Sequence, residues 1–261
     1  MNTISILGCG WLGLPLGRHL AAAGYTVKGS TTHLSKLDML HEAGISPFHL
    51  QLTPELTSDP KDFFDAEILL INLPPRNRDG IANFHKDQLK AISKEAKDKI
   101  GHIIFISSTA VYPAENNEVN ELQASSACLT RGGIPLLEME NLFVEDRSFK
   151  TTVIRFGGLY GPDRHPGRFL TGKKNLAGAN SPVNIIHLDD CMGVIQTIIE
   201  QNIWGEVFNA CSPTDESRQT FYERAAKNLG IAPPTFSNEE APYKKVTSEK
   251  LMKLTRYRFK H

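Results

Sequence analysis

The hydrophobic and polar positions of the chain follow two alternating patterns. Short apolar runs, as at 4–7, 68–71 and 103–106, are bounded by turn residues and predict strands. The segments between them carry apolar residues at helical spacing. The run 68–71 is apolar at every position, which is typical of a strand buried on both faces of a parallel sheet. The alternation predicts an α/β fold, a doubly wound parallel sheet.

The individual elements can be assigned from these runs and from the turn residues between them. Predicted strands are 4–7, 25–30, 44–50, 68–72, 102–106, 151–156, 183–187 and 207–210. Predicted helices are 14–23, 34–43, 80–99, 136–146, 191–201, 217–229 and 248–253. The stretch around Pro54 and Pro60 and the stretch 116–127 are predicted as polar loops.

A glycine-rich segment lies between the first predicted strand and the first predicted helix. A dinucleotide pyrophosphate needs close approach of the backbone and amide hydrogens at a helix N-terminus. In this interpretation Gly8 forms the tight turn, Gly10 admits the phosphates and Gly13 allows the helix to pack on the strand. Trp11 and Leu12, which lie between Gly10 and Gly13, are also predicted to bind the cofactor. The strand–turn–helix context favours a nucleotide site over a structural glycine turn.

The end of the second predicted strand indicates which dinucleotide fits. An acidic residue there usually binds the adenosine ribose of NAD. Here the residues are Ser30, Thr31 and Thr32, followed by His33 and Lys36, without a carboxylate. The cofactor is therefore predicted to be NADP or NAD, with NADP favoured. An alternative role for Thr32 is capping of the next helix, and both roles can hold.

Two further strand ends reach the edge at which open α/β sheets bind ligands. The fourth predicted strand ends at Leu73, Pro74 and Pro75, where paired prolines would either hold a loop rigid beside a cofactor or simply end the strand. The fifth delivers Ser107 and Ser108, whose hydroxyls lie where a substrate carbonyl or alcohol could be held.

Composition narrows the range of partners. The 261 residues include 29 basic and 29 acidic side chains, so bulk charge favours neither nucleic acid nor an anionic membrane surface. The apolar runs are too short to span a bilayer, and no secretory signal pattern begins the chain, so a cytoplasmic location is expected. The four cysteines are scattered without metal-ligand spacing, so neither a metal site nor a disulfide is predicted.

The regular alternation loosens after residue 161. Residues 1–161, continued by 183–211, are predicted to form the NAD(P)-binding Rossmann domain. Residues 162–182 and 212–261 are predicted to form a small C-terminal substrate-binding lobe. Such a short lobe favours a small-molecule substrate over a large nucleotide-sugar.

Four motifs occur in order along the chain and carry a family resemblance. They are Gly8-x-Gly10-x-x-Gly13, Ser107-Ser108-x-x-Val111-Tyr112, Arg155-x-Gly157-x-Leu159-Tyr160-Gly161-Pro162 and Ile186-His187-x-Asp189-Asp190. Together they resemble the extended short-chain dehydrogenase/reductase superfamily, the NAD-dependent epimerase/dehydratase group, and the glycine segment resembles an atypical branch of it. The resemblance covers essentially the whole chain. It also leaves open a homodimer formed through the helices 80–99 and 136–146.

The resemblance implies roles for particular residues. Ser108 stands where the family places the hydroxyl that binds the reacting oxygen, and Ser107 would face the cofactor. Asp189 matches an aspartate that organises the lobe. Arg155 and His187 would hold the fold near the cofactor.

The family's Tyr-x-x-x-Lys pair, which transfers the proton, is missing. In the register that aligns the family's later glutamate with Glu140, the two positions are Gly132 and Leu136. In the alternative register they are Thr130 and Ile134. Neither pair supplies a phenol or an amine, so the chain departs from the family at the residues that transfer the proton.

Other side chains offer only partial substitutes. Arg131 would either bring positive charge to the ribose or phosphate or lie at the surface. Tyr112 and Tyr160 fit structural roles in the family pattern. His165 could reach the pocket, but as a lone loop histidine it is expected to be a solvated surface residue.

Two functions follow from these features. The first is an NAD(P)-dependent oxidoreductase or epimerase-like enzyme that acts on a small hydroxylated or carbonyl substrate, with Ser108 and an unidentified proton donor. The alternative is a catalytically impaired NAD(P)-binding sensor or regulatory protein that kept the glycine segment. A flavin or other nucleotide binder is a third, less favoured option.

Overall fold

The structure of the protein, a computed structural model, describes residues 2–56, 61–76, 83–130 and 133–261. Its strands are β1 (Thr3–Leu7), β2 (Thr26–Thr31), β3 (Ser46–His49), β4 (Ile68–Ile71), β5 (His102–Ser108), β6 (Asn117–Val119), β7 (Lys150–Phe156), β8 (Gly158–Tyr160), β9 (Ile185–His187), β10 (Val207–Ala210) and β11 (Lys244–Val246). Its helices are α1 (Gly13–Ala22), α2 (Leu37–Glu42), α3 (Lys61–Phe64), α4 (Phe84–Ala96), α5 (Leu136–Val144), α6 (Leu188–Glu200), α7 (Arg218–Asn228) and α8 (Glu249–Thr255).

Seven of these strands form one sheet in the order β10-β7-β5-β4-β1-β2-β3. The strand β1 pairs in parallel with β2 and with β4, and the parallel pairing continues from β2 to β3 and from β4 to β5. The chain order reverses between β1 and β4, which is the topological switch point at which doubly wound sheets bind ligands. The predicted α/β doubly wound sheet is confirmed.

The strands at the centre of the sheet are apolar because helices cover them. All four residues of β4 are buried, and β1 buries four of its five. The helix α1 buries Leu16 and Leu20 on one face, at the i, i+4 spacing of a helix that packs on a sheet. Because β1 and β4 are parallel neighbours, the glycine segment after β1 and the loop after β4 begin at the same edge of the sheet.

The chain divides into two compact units. The first comprises residues 1–111, 126–154 and 198–207, and the second comprises 112–125, 155–197 and 208–261. The first unit contains all the predicted cofactor-binding positions and Ser108. The second contains two short parallel strand pairs, β6 with β11 and β8 with β9. The predicted domain bounds at 161, 183 and 211 remain a prediction.

Several predicted elements need correction. The predicted loop around Pro54 is followed by a short helix that was not predicted, α3, which buries Phe63 and Phe64 completely, and Pro60 lies outside the described residues. The supposed loop 116–127 contains β6, whose partner β11 lies so far along the chain that no local pattern reveals the pairing. The helix α6 begins at Leu188, so Asp189 and Asp190 belong to its first turn. The start of the predicted helix 80–99 lies outside the described residues.

Two findings bear on the composition. Within the described ranges, no helix has both the length and the apolar character needed to cross a membrane. The cysteines are all unpaired thiols, and Cys9, Cys191 and Cys211 are buried. Burial raises the pKa of Cys9 and of Cys211 to about 12, so both thiols stay protonated at neutral pH.

Candidate dinucleotide-binding site

The glycine turn is built by contacts that only glycine allows at two of its three positions. Gly8 has a φ of +102°, and a Cβ there would lie 2.6 Å from the carbonyl oxygen of Asn72. A Cβ on Gly13 would overlap the carbonyl oxygen of Gly8. Gly8 thus makes the turn, and Gly13 lets α1 start directly against it. These are the predicted roles of both residues.

Gly10 differs from the other two because the fold does not need it to be glycine. No atom lies within 4 Å of the position that its Cβ would occupy, and the residue is exposed. The missing side chain therefore leaves open space above the turn. An unoccupied approach of this kind is what a pyrophosphate requires.

The N-terminus of α1 is the positive end of the helix dipole, and no side chain of its cap or first turn neutralises it. The cap residue Leu12 provides no side-chain hydrogen bond, and the first turn contains no acidic residue. Among the described residues, no acceptor is found for the amide hydrogens of Leu12 and Gly13. Trp11 is half-buried beside them. Amides of this kind and the helix dipole together attract an anion.

Neighbouring strand ends hold the turn in place. The Gly8 amide donates to Ser30 Oγ at 2.9 Å, and the Cys9 amide donates to the Ser30 carbonyl at 2.9 Å. The Asn72 side chain donates through Nδ2 to the Gly8 carbonyl at 3.0 Å. Asn72 was not predicted as a site residue. An amide side chain directly after a buried strand was the available signal.

The end of β2 separates into buried and exposed hydroxyls. Ser30 and Thr31 are buried, and Thr31 Oγ1 accepts the His33 amide at 3.2 Å. Thr32 and His33 are exposed, and the Thr32 carbonyl lies 3.3 Å from His49 Nε2. The structure therefore brings Ser30 to the turn and leaves Thr32 at the surface of the strand end.

The loop after β4 lies against the same turn. Leu73 is half-buried, and its Cδ2 atom is 3.5 Å from the position of a Gly8 Cβ. Pro74 and Pro75 are exposed beyond it. Of these three predicted residues, the structure brings Leu73 next to the glycine turn.

The two serines that end β5 have opposite environments, as expected for successive residues of a strand. Ser107 is buried, and its hydroxyl donates to the carboxylate of Glu140 at 2.5 Å. Ser108 is half-exposed, and its Oγ accepts the Ala110 amide at 3.2 Å. Within the described part of the chain, no group accepts the Ser108 hydroxyl proton. Ser108 is thus the hydroxyl available to a ligand.

The helix α5 contains neither a lysine nor a tyrosine. It begins at Leu136, which is buried, and its buried carboxylate is Glu140. Glu138 points outward and forms an ion pair with Lys86 at 3.3 Å. Arg131 and Gly132 lie outside the described residues. In the sequence, Glu140 marks only the position of the family's later glutamate. Its contact with Ser107 was not predicted.

Tyr112 is a structural residue of the second unit. Its phenol donates to Asn209 Oδ1 at 2.6 Å and accepts from Arg155 Nη1 at 2.7 Å. Arg155 also donates to the carbonyl of Glu121 at 2.9 Å. Burial raises the pKa of Tyr112 to about 12. A buried phenol engaged in this way is a poor proton donor to a substrate.

We expect Tyr112→Phe to lower the free energy of unfolding by about 1–2 kcal/mol, because it removes two buried hydrogen bonds. Dinucleotide affinity should stay within twofold of the wild type. Urea unfolding and calorimetric titration measure the two quantities. Tyr160→Phe is the matched control, since the Tyr160 phenol makes no hydrogen bond to the described residues and the ring contacts with His187 and Phe221 persist. An equal loss of stability in both variants would contradict this assignment.

His165 also has a structural role. Its Nδ1 accepts the Gly167 amide at 3.1 Å and caps a short 3₁₀ turn, Pro166–Arg168. The residue is half-buried, so the expectation of a solvated loop histidine is wrong.

Comparison with known proteins shows the family. No family model matches the chain. It is 35% identical over 242 residues to Protein YeeZ of Escherichia coli (strain K12), an alignment that covers 91% of this chain and 88% of YeeZ. The chain belongs to the YeeZ family.

Two solved structures illustrate the fold that this chain shares with other proteins. A UDP-glucuronic acid 4-epimerase from Bacillus cereus in complex with NAD is 18% identical, with a TM-score of 0.77 and coverage of 99% of this chain and 92% of that chain. A short-chain dehydrogenase/reductase superfamily protein from Agrobacterium tumefaciens with bound NAD is 15% identical, with a TM-score of 0.77 and coverage of 99% and 93%. The predicted resemblance to the extended short-chain dehydrogenase/reductases is confirmed at the level of the fold.

Proposed function

We propose that this YeeZ-family protein binds a nicotinamide dinucleotide at the glycine turn and acts as an oxidoreductase or epimerase-like enzyme on a small hydroxylated or carbonyl substrate. The observation that carries the proposal is the open space at Gly10 above the uncapped start of α1. Two amides and a helix dipole face that space without an acceptor from the described protein. The NAD bound in two proteins of the same fold supports the same ligand class here.

We also propose a preference for NADP over NAD. The end of β2 offers Thr32 and His33 at the surface, and the nearest acidic residue that follows is Asp38 in α2. Without a carboxylate at the strand end, the ribose hydroxyls of NAD lose their usual partner and a 2′-phosphate meets no repulsion. Calorimetric titration with NADPH and with NADH tests the proposal. Saturable one-to-one binding with tighter NADPH is the expected result, and binding of neither dinucleotide would overturn it.

In the proposed reaction, the bound nicotinamide would supply or accept the hydride. The chain's own contribution is to hold the reacting oxygen of the substrate by the half-exposed Ser108 hydroxyl. Ser107 is unsuited to that task because its proton is held by the buried Glu140 carboxylate. The proton donor would then be the substrate, water or a side chain that is not identified.

If Ser108 binds the reacting oxygen, Ser108→Ala should lower kcat/KM by about 100-fold, the usual effect of losing one such donor. The dissociation constant for NADPH should not change. NADPH consumption with a panel of small aldehydes and ketones measures the first, and calorimetry the second. Ser108→Thr keeps the hydroxyl and should recover much of the rate. Equal activity of the alanine and wild-type proteins would remove Ser108 from the reaction.

Two observations favour the second candidate, a dinucleotide-binding sensor without turnover. Tyr112 is held by Asn209 and Arg155, and the inner face of α5 lacks the tyrosine–lysine pair. NADPH binding without turnover of any carbonyl, alcohol or nucleotide-sugar in a broad panel would support the sensor. Turnover that depends on Ser108 would support the enzyme.

A further inference from the structure

The second unit contains two imidazoles and a carboxylate that the proposed dinucleotide chemistry does not use. Asp189 Oδ2 lies 3.5 Å from His187 Nδ1 and 3.3 Å from His261 Nε2. One donor atom from each residue lies within 4.8 Å of the other two. The rings of His187 and His261 are 4.0 Å apart between centroids. We call these three residues the His–Asp–His cluster.

The fold fixes all three members of the cluster. His187 ends β9, and Asp189 lies in the first turn of α6. His261 is brought to them by the segment 256–261, which is anchored on the buried carboxylate of Asp190. That carboxylate accepts the Tyr257 phenol at 2.8 Å, the Lys260 amide at 2.9 Å and the His261 amide at 3.1 Å. The anchor therefore sets the backbone of His261 itself.

The spacing of the cluster suits a tetrahedral metal ion. Zinc bonds of about 2.0–2.2 Å to imidazole nitrogen and carboxylate oxygen place neighbouring donors about 3.4 Å apart. The two distances to Asp189 Oδ2 match this value without movement of the backbone. Two imidazoles with one carboxylate also form a donor set that borderline divalent ions such as Zn²⁺ prefer to the harder Mg²⁺ and Ca²⁺.

The hydrogen bonding and the exposure of the cluster also suit a metal ion. His187 Nδ1 accepts the Asp189 amide at 3.2 Å, so this nitrogen carries a lone pair that an ion would take in place of that bond. The side chain of Asp189 is 51% exposed and that of His261 is 40% exposed, which leaves room for a water ligand.

We propose that His187, Asp189 and His261 bind one borderline divalent transition-metal ion of the Zn²⁺ class. The bound ion links the segment 256–261 to the start of α6. This link adds to the anchor that Asp190 already provides.

The test is calorimetric titration of the untagged, chelator-treated full chain with Zn²⁺. The variants are His261→Gln and Asp189→Asn, and His41→Gln is the matched control, because His41 is an exposed histidine on α2. We expect one site per chain in the wild type and in His41→Gln, with affinity at least tenfold weaker in the two cluster variants. The visible absorption of bound Co²⁺ should report nitrogen and oxygen ligands in the wild type only.

Hydrogen exchange provides a second measurement on the same proteins. Zn²⁺ should slow exchange of the amides in 256–261 in the wild type but not in His261→Gln. Binding by the wild type that is no tighter than binding by His261→Gln would overturn the site. Tight binding that leaves exchange of the segment unchanged would overturn its linking role. Unchanged circular dichroism in the variants separates loss of the site from loss of the fold.

Discussion

Gly10→Glu is expected to abolish dinucleotide binding and to leave the protein as stable as the wild type. The position is exposed and nothing lies within 4 Å of its Cβ, so the fold accommodates a side chain. The new carboxylate would occupy the space above the amides of Leu12 and Gly13 and repel a pyrophosphate. We expect NADPH affinity to fall at least 100-fold, which is about 2.8 kcal/mol.

Calorimetric titration with NADPH, together with the urea unfolding midpoint, measures this effect. Gly101→Glu is the matched control. It introduces the same charge at an exposed glycine, at the opposite end of β5 from Ser108, where a Cβ would meet its nearest atom at 3.7 Å. It should bind NADPH as the wild type does. Equal affinities for Gly10→Glu and the wild type would exclude the glycine turn as the binding site.

Gly8→Ala is expected to destabilise the first unit strongly. Its positive φ strains an alanine by about 1–3 kcal/mol, and the overlap with the Asn72 carbonyl adds about 1–3 kcal/mol. The combined loss of about 3 kcal/mol or more should appear as a lower midpoint in urea and a lower Tm. Binding of NADPH by the folded fraction should also weaken, since the turn that presents the amides moves.

Alanine variants at two other glycines separate the backbone strain from the steric overlap. Gly24 has a φ of +94° with no atom within 4 Å, so Gly24→Ala should show the backbone strain alone. A Cβ on Gly13 meets the carbonyl of Gly8, and that residue has no positive φ, so Gly13→Ala should show the overlap alone. If Gly8→Ala costs no more than Gly24→Ala, close packing against Asn72 is not the reason for glycine at position 8.

The sequence predicted the glycine turn well because the determinants of that turn are local. A strand, three glycines and a helix follow one another within 22 residues, and each glycine's role depends on its immediate neighbours. The position of Ser108 at the end of β5 was predictable for the same reason. The pattern of apolar runs likewise predicts the strands of the central sheet, because burial on both faces excludes polar residues.

Residues whose roles depend on distant partners could not be predicted in this way. Asn72 follows β4 and supports the turn that follows the neighbouring strand β1. Glu140 contacts Ser107 only once α5 packs on β5. The His–Asp–His cluster depends on the segment 256–261, which is anchored on Asp190, 71 residues before His261 in the chain. The cluster contains no cysteine, so the cysteine spacing that usually reveals a metal site in a sequence could not indicate it.

Ser30 links the proposed cofactor preference of the protein to the integrity of its turn. The hydroxyl of Ser30 accepts the Gly8 amide, and its carbonyl accepts the Cys9 amide. An engineer who placed a carboxylate at position 30 to recruit NAD would alter the group that shapes the phosphate site. Thr32, exposed at the same strand end, can change without that penalty. A redesign of cofactor choice in this protein should therefore begin at position 32 and leave Ser30 intact.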